Sequence, residues 1–220
     1  YRNETETKGR LKYSVSEIKR MSQAADKQER LYTSVHQEKE KRVPAFIKKN
    51  EKISATSKGT VIHKVLELLN FSKDHTMKSL NEDIKEWIDQ GKLKKEYDKV
   101  IYRKEILALT NSQLGKRMKT ADQKKRLYKE RQFVTGIPFS DMNQEAKTDD
   151  FVVVQGIIDA YFEETDGIVL VDYKTDRVCR GEEQKLKELY HSQLEDYSAA
   201  LERMLNRNVK EKYIYSFSLG

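Results

Sequence analysis

Residues 156–176 read GIIDAYFEETDGIVLVDYKTD, two apolar runs with the period of strands around the turn signal Thr165-Asp166-Gly167. Each run carries charge where a packed strand carries none: Asp159 in the first, Asp172 and Lys174 in the second. Side chains alternate along a strand, so Asp172 and Lys174 share a face with Leu170, while Asp159 shares one with Ile157 and Tyr161. Whether these are one face depends on the turn. A two-residue Asp166-Gly167 loop pairs positions whose numbers sum to 333 and sets Asp159 opposite Lys174. A four-residue loop gives the sum 331 and sets Asp159 opposite Asp172, whereas a three-residue loop splits the charges across the sheet.

Two carboxylates converging at a strand end repel each other unless a cation joins them. Hard oxygen donors suit magnesium, and an added imidazole suits manganese as well. Lys174, two residues from Asp172, is placed to stabilise negative charge beside such a cation. That combination fits phosphodiester hydrolysis. The structural alternative is a strand-end hydrogen-bond acceptor at Asp159 and a plain ion pair between Asp172 and Lys174.

Upstream, SATSKGTVIHKVLELLN predicts a helix, with Val61, Val65, Leu68 and Leu69 on one stripe and His63 near a second face. Residues 78–127 predict two or three helices, with stops at Gly91 and Gly115. Strands follow in RLYKERQFVTGI and DFVVVQGIIDAYFEE, then in IVLVDYKTD. A long helix from about Glu182 to Asn206 carries Leu186, Leu189, Tyr190, Leu194, Tyr197, Leu201 and Leu205 as its apolar stripe, and VKEKYIYSFSLG closes with a strand. The order is helix, three strands, helix, strand: an α/β (α+β) chain with a central mixed sheet flanked by helices. We divide it into a basic N-terminal arm or helical extension, 1–57, in which Ser14 or Ser16 is a candidate N-cap, and a core, 58–220, with a helical insert at about 72–127.

With 36% charged and 37% hydrophobic residues, and twelve Tyr beside seven Phe, the chain is expected to fold. Its net charge of +7 is uneven. Residues 1–57 hold fourteen Lys/Arg against eight Asp/Glu and residues 111–131 eight against two, leaving 7 − 6 − 6 = −5 elsewhere. Local basic surfaces suit a polyanion, with solvated helix faces as the alternative, GKRMKTADQKKR included. The single Cys179 excludes an internal disulfide and an iron–sulfur cluster held by four cysteines of this chain. No run approaches the roughly 18 apolar residues of a membrane span, and no signal-peptide core or initiator Met opens the sequence. We read it as an excised piece of a cytoplasmic protein.

Taken together, GTVIHKVLE, LYKERQF, GIIDA, VDYKTD thirteen positions on, and QLEDY resemble the RecB-type branch of the PD-(D/E)XK nuclease superfamily, across roughly residues 10–220. Within that branch the chain most resembles the nuclease domains at the C-termini of AddAB-type helicase–nuclease A subunits. The resemblance implies a restriction-endonuclease-like core. It implies cation binding, magnesium first and manganese second, by His63, Asp159, Asp172 and the backbone carbonyl of Tyr173. Lys174 would position the attacking water, making Asp159, Asp172 and Lys174 the catalytic set. Gln193 and Tyr197 match the branch's Gln-x-x-x-Tyr signature, which orients DNA or supports the site, and Glu130 is a weaker candidate for a metal or DNA contact. The absence of a phosphate-binding loop motif from this sequence assigns ATP hydrolysis to a helicase portion of the full-length chain. The partners implied are DNA, mainly single-stranded, that helicase portion, and a B subunit, in processing double-strand breaks. The alternatives are a non-catalytic DNA-binding module with a nuclease fold, and a stand-alone exonuclease or resolvase.

Overall fold

The computed structural model describes residues 12–14, 55–138, 151–176 and 181–218. Five strands form one mixed sheet: β1 (Lys12–Ser14), β2 (Leu127–Pro138), β3 (Phe151–Glu164), β4 (Gly167–Lys174) and β5 (Val209–Ser216). β3 is its spine. β2 runs antiparallel along one edge of it, from Leu127↔Phe162 to Pro138↔Phe151. Along the other edge, β4 takes Ala160–Glu164 antiparallel and β1 takes Val153–Gln155 in parallel. β5 then lies parallel to β4, which requires a crossover, and helix α5 (Glu183–Leu205) supplies it.

The sheet is covered on both faces. On one face lie α1 (Ala55–Leu68), α2 (Met77–Asp89), a 3-10 turn (Lys95–Val100), α3 (Arg103–Asn111) and α4 (Gln113–Gln123). Val61, Ile62, Val65 and Leu66 of α1 bury against Phe162, Val169, Val171 and Tyr173. On the other face Leu194, Tyr197 and Leu201 of α5 pack on Ile158, Tyr161, Ile168 and Leu170. β4 therefore alternates between two apolar layers and is buried from Gly167 to Tyr173, as a strand covered on both faces must be. The expected order and the mixed sheet between helices are as found.

Particular expectations differ. The β3–β4 register follows the sum 331, with Glu164 paired to Gly167, so the turn is Thr165–Asp166 rather than a longer loop. The reason lies in β5: the Ile168 N–H donates to the Asn208 carbonyl at 2.9 Å, recruiting the residues after the turn into the ladder at once. Ser14, a candidate N-cap by sequence, lies in β1, while Ser16 lies outside the described residues. Leu189 is 45% exposed and leaves the stripe of α5.

Gly91 stops its helix at φ +71, but Gly115 does not. The break falls at Ser112, whose hydroxyl accepts the Gly115 N–H at 3.0 Å and caps α4. Gly115 is required for a different reason, since a Cβ there would lie 2.0 Å from the Leu109 carbonyl oxygen. Gly115→Ala must push α3 and α4 apart. A loss of about 2–3 kcal/mol is expected, read as a lowered midpoint in thermal or urea unfolding.

The basic α4 segment is partly internal to the fold. Met118 and Ala121 are buried, Lys119 pairs with Asp74 at 2.6 Å, and Arg117 spans two strands. Its guanidinium makes hydrogen bonds of 2.8–2.9 Å to both carboxylate oxygens of Glu164 and of Glu211.

Candidate metal and catalytic site

The charged residues meet where β3 and β4 part. Ala160↔Val171 is the last pair of that ladder, and at the next position the Tyr173 N–H donates to Asp159 Oδ2 at 2.7 Å. A carboxylate thus takes the place of a backbone carbonyl. Its second oxygen, Oδ1, lies 3.2 Å from His63 Nδ1 on α1. Gly59, one turn before His63, lets α1 approach the chain beyond β4, because a Cβ there would stand 3.1 Å from Thr175 Oγ1.

Glu130 completes this half of the site. It lies across from Asp159, between the pairs Lys129↔Ala160 and Arg131↔Ile158, and its φ of +48 is unusual for a residue other than glycine. Lys129 sends its ammonium to the Glu67 and Leu69 carbonyls at the end of α1, 2.6 Å from each, and Glu130 brings Oε1 to 3.4 Å from His63 Nδ1. Two consecutive side chains turned to one helix cannot come from a regular strand. The left-handed residue permits it, at a cost of about 1–3 kcal/mol that persists where neighbours over-determine the geometry. β3 breaks step at the same level, with Ile158 and Tyr161 both in the α5 layer. Asp159 consequently does not share a face with Ile157, which is 45% exposed, or with Tyr161, which is buried under α5.

The second half belongs to the α5 face. Asp172 is 1% exposed, and its Oδ2 pairs with Lys174 Nζ at 2.7 Å. Its Oδ1 accepts the Gln193 amide at 3.2 Å, and the same amide nitrogen reaches the Tyr197 hydroxyl at 3.1 Å. Asp172, Lys174 and Leu170 thus share a face, as alternation predicts. The i, i+4 pair Gln193 and Tyr197 points at the carboxylate rather than into solvent.

Electrostatics joins the halves. Burial pushes the Asp172 carboxyl up to about 6 against the pull of Lys174, with Asp159 adding to the rise. At His63, burial opposes the imidazolium most strongly, yet the Asp159 and Glu130 carboxylates together outweigh it and raise the ring to about 10. A site that holds its histidine as a cation and its innermost aspartate half-protonated near pH 6 has an excess of negative charge that its own residues only partly neutralise. One ligand atom from each of His63, Glu130 and Asp159 lies within 4.8 Å of the others. An imidazole with converging carboxylates fits a divalent cation of the magnesium or manganese kind.

The family model of the PD-(D/E)XK nuclease superfamily matches residues 14–218. The chain belongs to that superfamily. PD-(D/E)XK nucleases use divalent metals, and the His63, Glu130 and Asp159 cluster is a possible metal site of this member. Among relatives, the chain is 37% identical over 211 residues to the A subunit of the ATP-dependent helicase/nuclease of Lachnoclostridium phytofermentans, covering 81% of this chain and 15% of that protein. It is 36% identical over 219 residues to the protein of the same name from Thermoanaerobacter sp. strain X514, and 36% over 214 residues to that from Clostridium botulinum strain Langeland. Those matches cover 95% and 94% of this chain but 17% and 16% of the relatives, so the PD-(D/E)XK chain spans about a sixth of their length. No described helix is long and apolar enough to cross a membrane.

Sequence reasoning undervalues Glu130 and misplaces Tyr190. The alternation-breaking backbone of Glu130 is invisible in a one-dimensional pattern, although its place opposite Asp159 follows once β2 and β3 are paired. Periodicity puts Tyr190 in the apolar stripe, yet its ring centroid lies 4.2 Å from Lys174 Nζ. The available signal is its position, three residues before Gln193 and on the same helical face.

Proposed function

We propose that this chain is a magnesium-dependent deoxyribonuclease domain, with manganese able to substitute, acting on single strands that a helicase portion of the same full-length protein delivers. The observation that carries the reading is the fork between β3 and β4, which gathers Asp159, Asp172 and Lys174 with His63 above them. The names of the relatives support the helicase linkage. They are also the ground for proposing a B-subunit partner, a cytoplasmic location, and a place in double-strand break processing. The division into an arm, 1–57, and a core, 58–220, is part of the same proposal.

His63, Asp159, Asp172 and the Tyr173 carbonyl are the proposed cation ligands, with Glu130 as an added donor. A bound divalent cation would polarise the scissile phosphate and lower the pKa of a water beside it. Asp159 is pre-set for its part, because the Tyr173 N–H fixes one oxygen and leaves the other towards His63. Lys174 keeps an ammonium 2.7 Å from Asp172, where two further N–H donors remain for the attacking water or a phosphate oxygen. Gln193 holds the rotamer of Asp172 through its second oxygen, and Tyr197 in turn positions Gln193.

The test is degradation of end-labelled single-stranded DNA by this chain with magnesium, with manganese and with chelator. Cleavage that needs the cation and stops on chelation is the expected result. DNA binding with no cleavage under any cation would overturn the nuclease reading in favour of a binding module.

A further inference from the structure

Lys174 stands at the end of a strand on a long, flexible stem, and Asp172 alone does not fix where its charge points. The ammonium rests over the Tyr190 ring, 4.2 Å from its centroid, well inside the range of a cation–π contact. The ring is itself held in place. Its hydroxyl donates to Asp176 Oδ2 at 2.8 Å, and Asp176 lies two residues beyond Lys174 in the chain. Helix α5 therefore reaches back through Tyr190 to both the lysine and the segment that follows it. The Lys174 side chain is 13% exposed and Tyr190 is half-buried, so water competes weakly for the charge.

An aromatic face differs from a second carboxylate in a way that matters here. It attracts the ammonium without accepting one of its hydrogens along a fixed line, so the remaining N–H donors stay available. Nor does it add negative charge to a site that already has an excess. A carboxylate in its place would strengthen the hold on Lys174 while worsening the repulsion around Asp172.

We propose that Tyr190 is a positioning residue of the site, keeping the Lys174 ammonium beside Asp172 and aimed at the reacting phosphate, with Asp176 anchoring the ring. This rests on the nuclease reading, and it adds to that reading a residue of α5 that lies three positions before the Gln-x-x-x-Tyr pair.

Two measurements on Tyr190→Phe and Tyr190→Leu test it. In lysine-labelled carbon–proton spectra, with Lys174→Arg to assign the signal, ring current should shift the Lys174 ε-methylene upfield. The shift should persist in Tyr190→Phe and vanish in Tyr190→Leu. In cleavage assays Tyr190→Leu should lower kcat roughly tenfold with KM for DNA unchanged, while Tyr190→Phe retains most of the rate. An unshifted lysine in the wild type overturns the contact. A shifted lysine with an unchanged kcat in Tyr190→Leu overturns the role, as does equal damage in the two variants. A wild type that fails to cleave counts against the nuclease reading alone, because the spectra read the lysine without turnover.

Discussion

Asp172→Asn should lower cation-dependent cleavage by at least about 10³-fold while making the metal-free protein more stable, not less. The carboxylate is 1% exposed, and burial lifts it from 3.8 to about 6. A folded-state value above the unfolded one means that protonation favours the fold. The associated stability is complete below pH 4 and is lost as pH rises through 6, amounting to about 3 kcal/mol by pH 7. Asparagine mimics the protonated form at every pH. Urea unfolding in chelator should therefore show the variant and wild type equal near pH 4, with the variant gaining an advantage between pH 4 and 6 and holding it above pH 7. An activity loss accompanied by lower stability at pH 7 would mark Asp172 as a structural ion-pair partner of Lys174. The opposite signs expected here are those of a residue whose burial is tolerated for what it binds.

Arg117→Ala should have the reverse profile, a large loss of stability with the specific activity of folded molecules retained. Arg117 leaves the insert helix α4 to bridge Glu164 at the end of β3 and Glu211 of β5, with the Tyr213 hydroxyl at 3.1 Å and the Phe162 ring beside it. Removing it leaves two partly buried carboxylates without their shared cation. A cost of about 2 kcal/mol follows from values between those of exposed and buried pairs, or a melting point lowered by roughly 4–8 °C. Arg117 also holds Glu164 and Glu211 down to about 2, with Lys210 helping at the first and Tyr213 at the second. Depressed carboxyls stabilise the fold above their unfolded values and lose that contribution in acid. The gap between wild type and variant should accordingly shrink as pH falls from 4.5 towards 2. The site is spared by distance: Gly167, paired with Glu164, and Asp172 stand five residues apart along β4, about 16 Å. Circular dichroism melts and cleavage rates normalised to folded protein check both halves of the expectation.

Asp172 was legible in the sequence and the partners of Arg117 were not, for physical reasons. The β3–β4 hairpin was readable because strand alternation is local: Asp172, Lys174 and Leu170 share a face wherever the strand lies. The same rule failed at Asp159, since Glu130 and Asp159 break step together, and nothing in LYKERQF announces a left-handed backbone at a glutamate. The segment GKRMKTADQKKR looks like uniform positive charge, yet Arg117 and Lys119 have acidic partners contributed by Glu164, Glu211 and Asp74. Sequence separation hides such pairs. Gln193 and Tyr197 were found through the resemblance and their helical spacing, whereas Tyr190 was lost among the apolar residues of the same helix. An aromatic residue that packs and one that steadies a cation look alike until the cation is placed.

The division of the site between the two faces of the sheet also guards the cell against this protein's own immaturity. His63 and Glu130 stand on one side, Lys174 and Gln193 on the other, and the two aspartates face each other across the gap between strands. A nascent chain that has docked α1 but not α5, or α5 but not α1, presents only half of the cutting machinery. Completion of the fold is thereby a licensing step, and a half-made molecule near the chromosome is harmless.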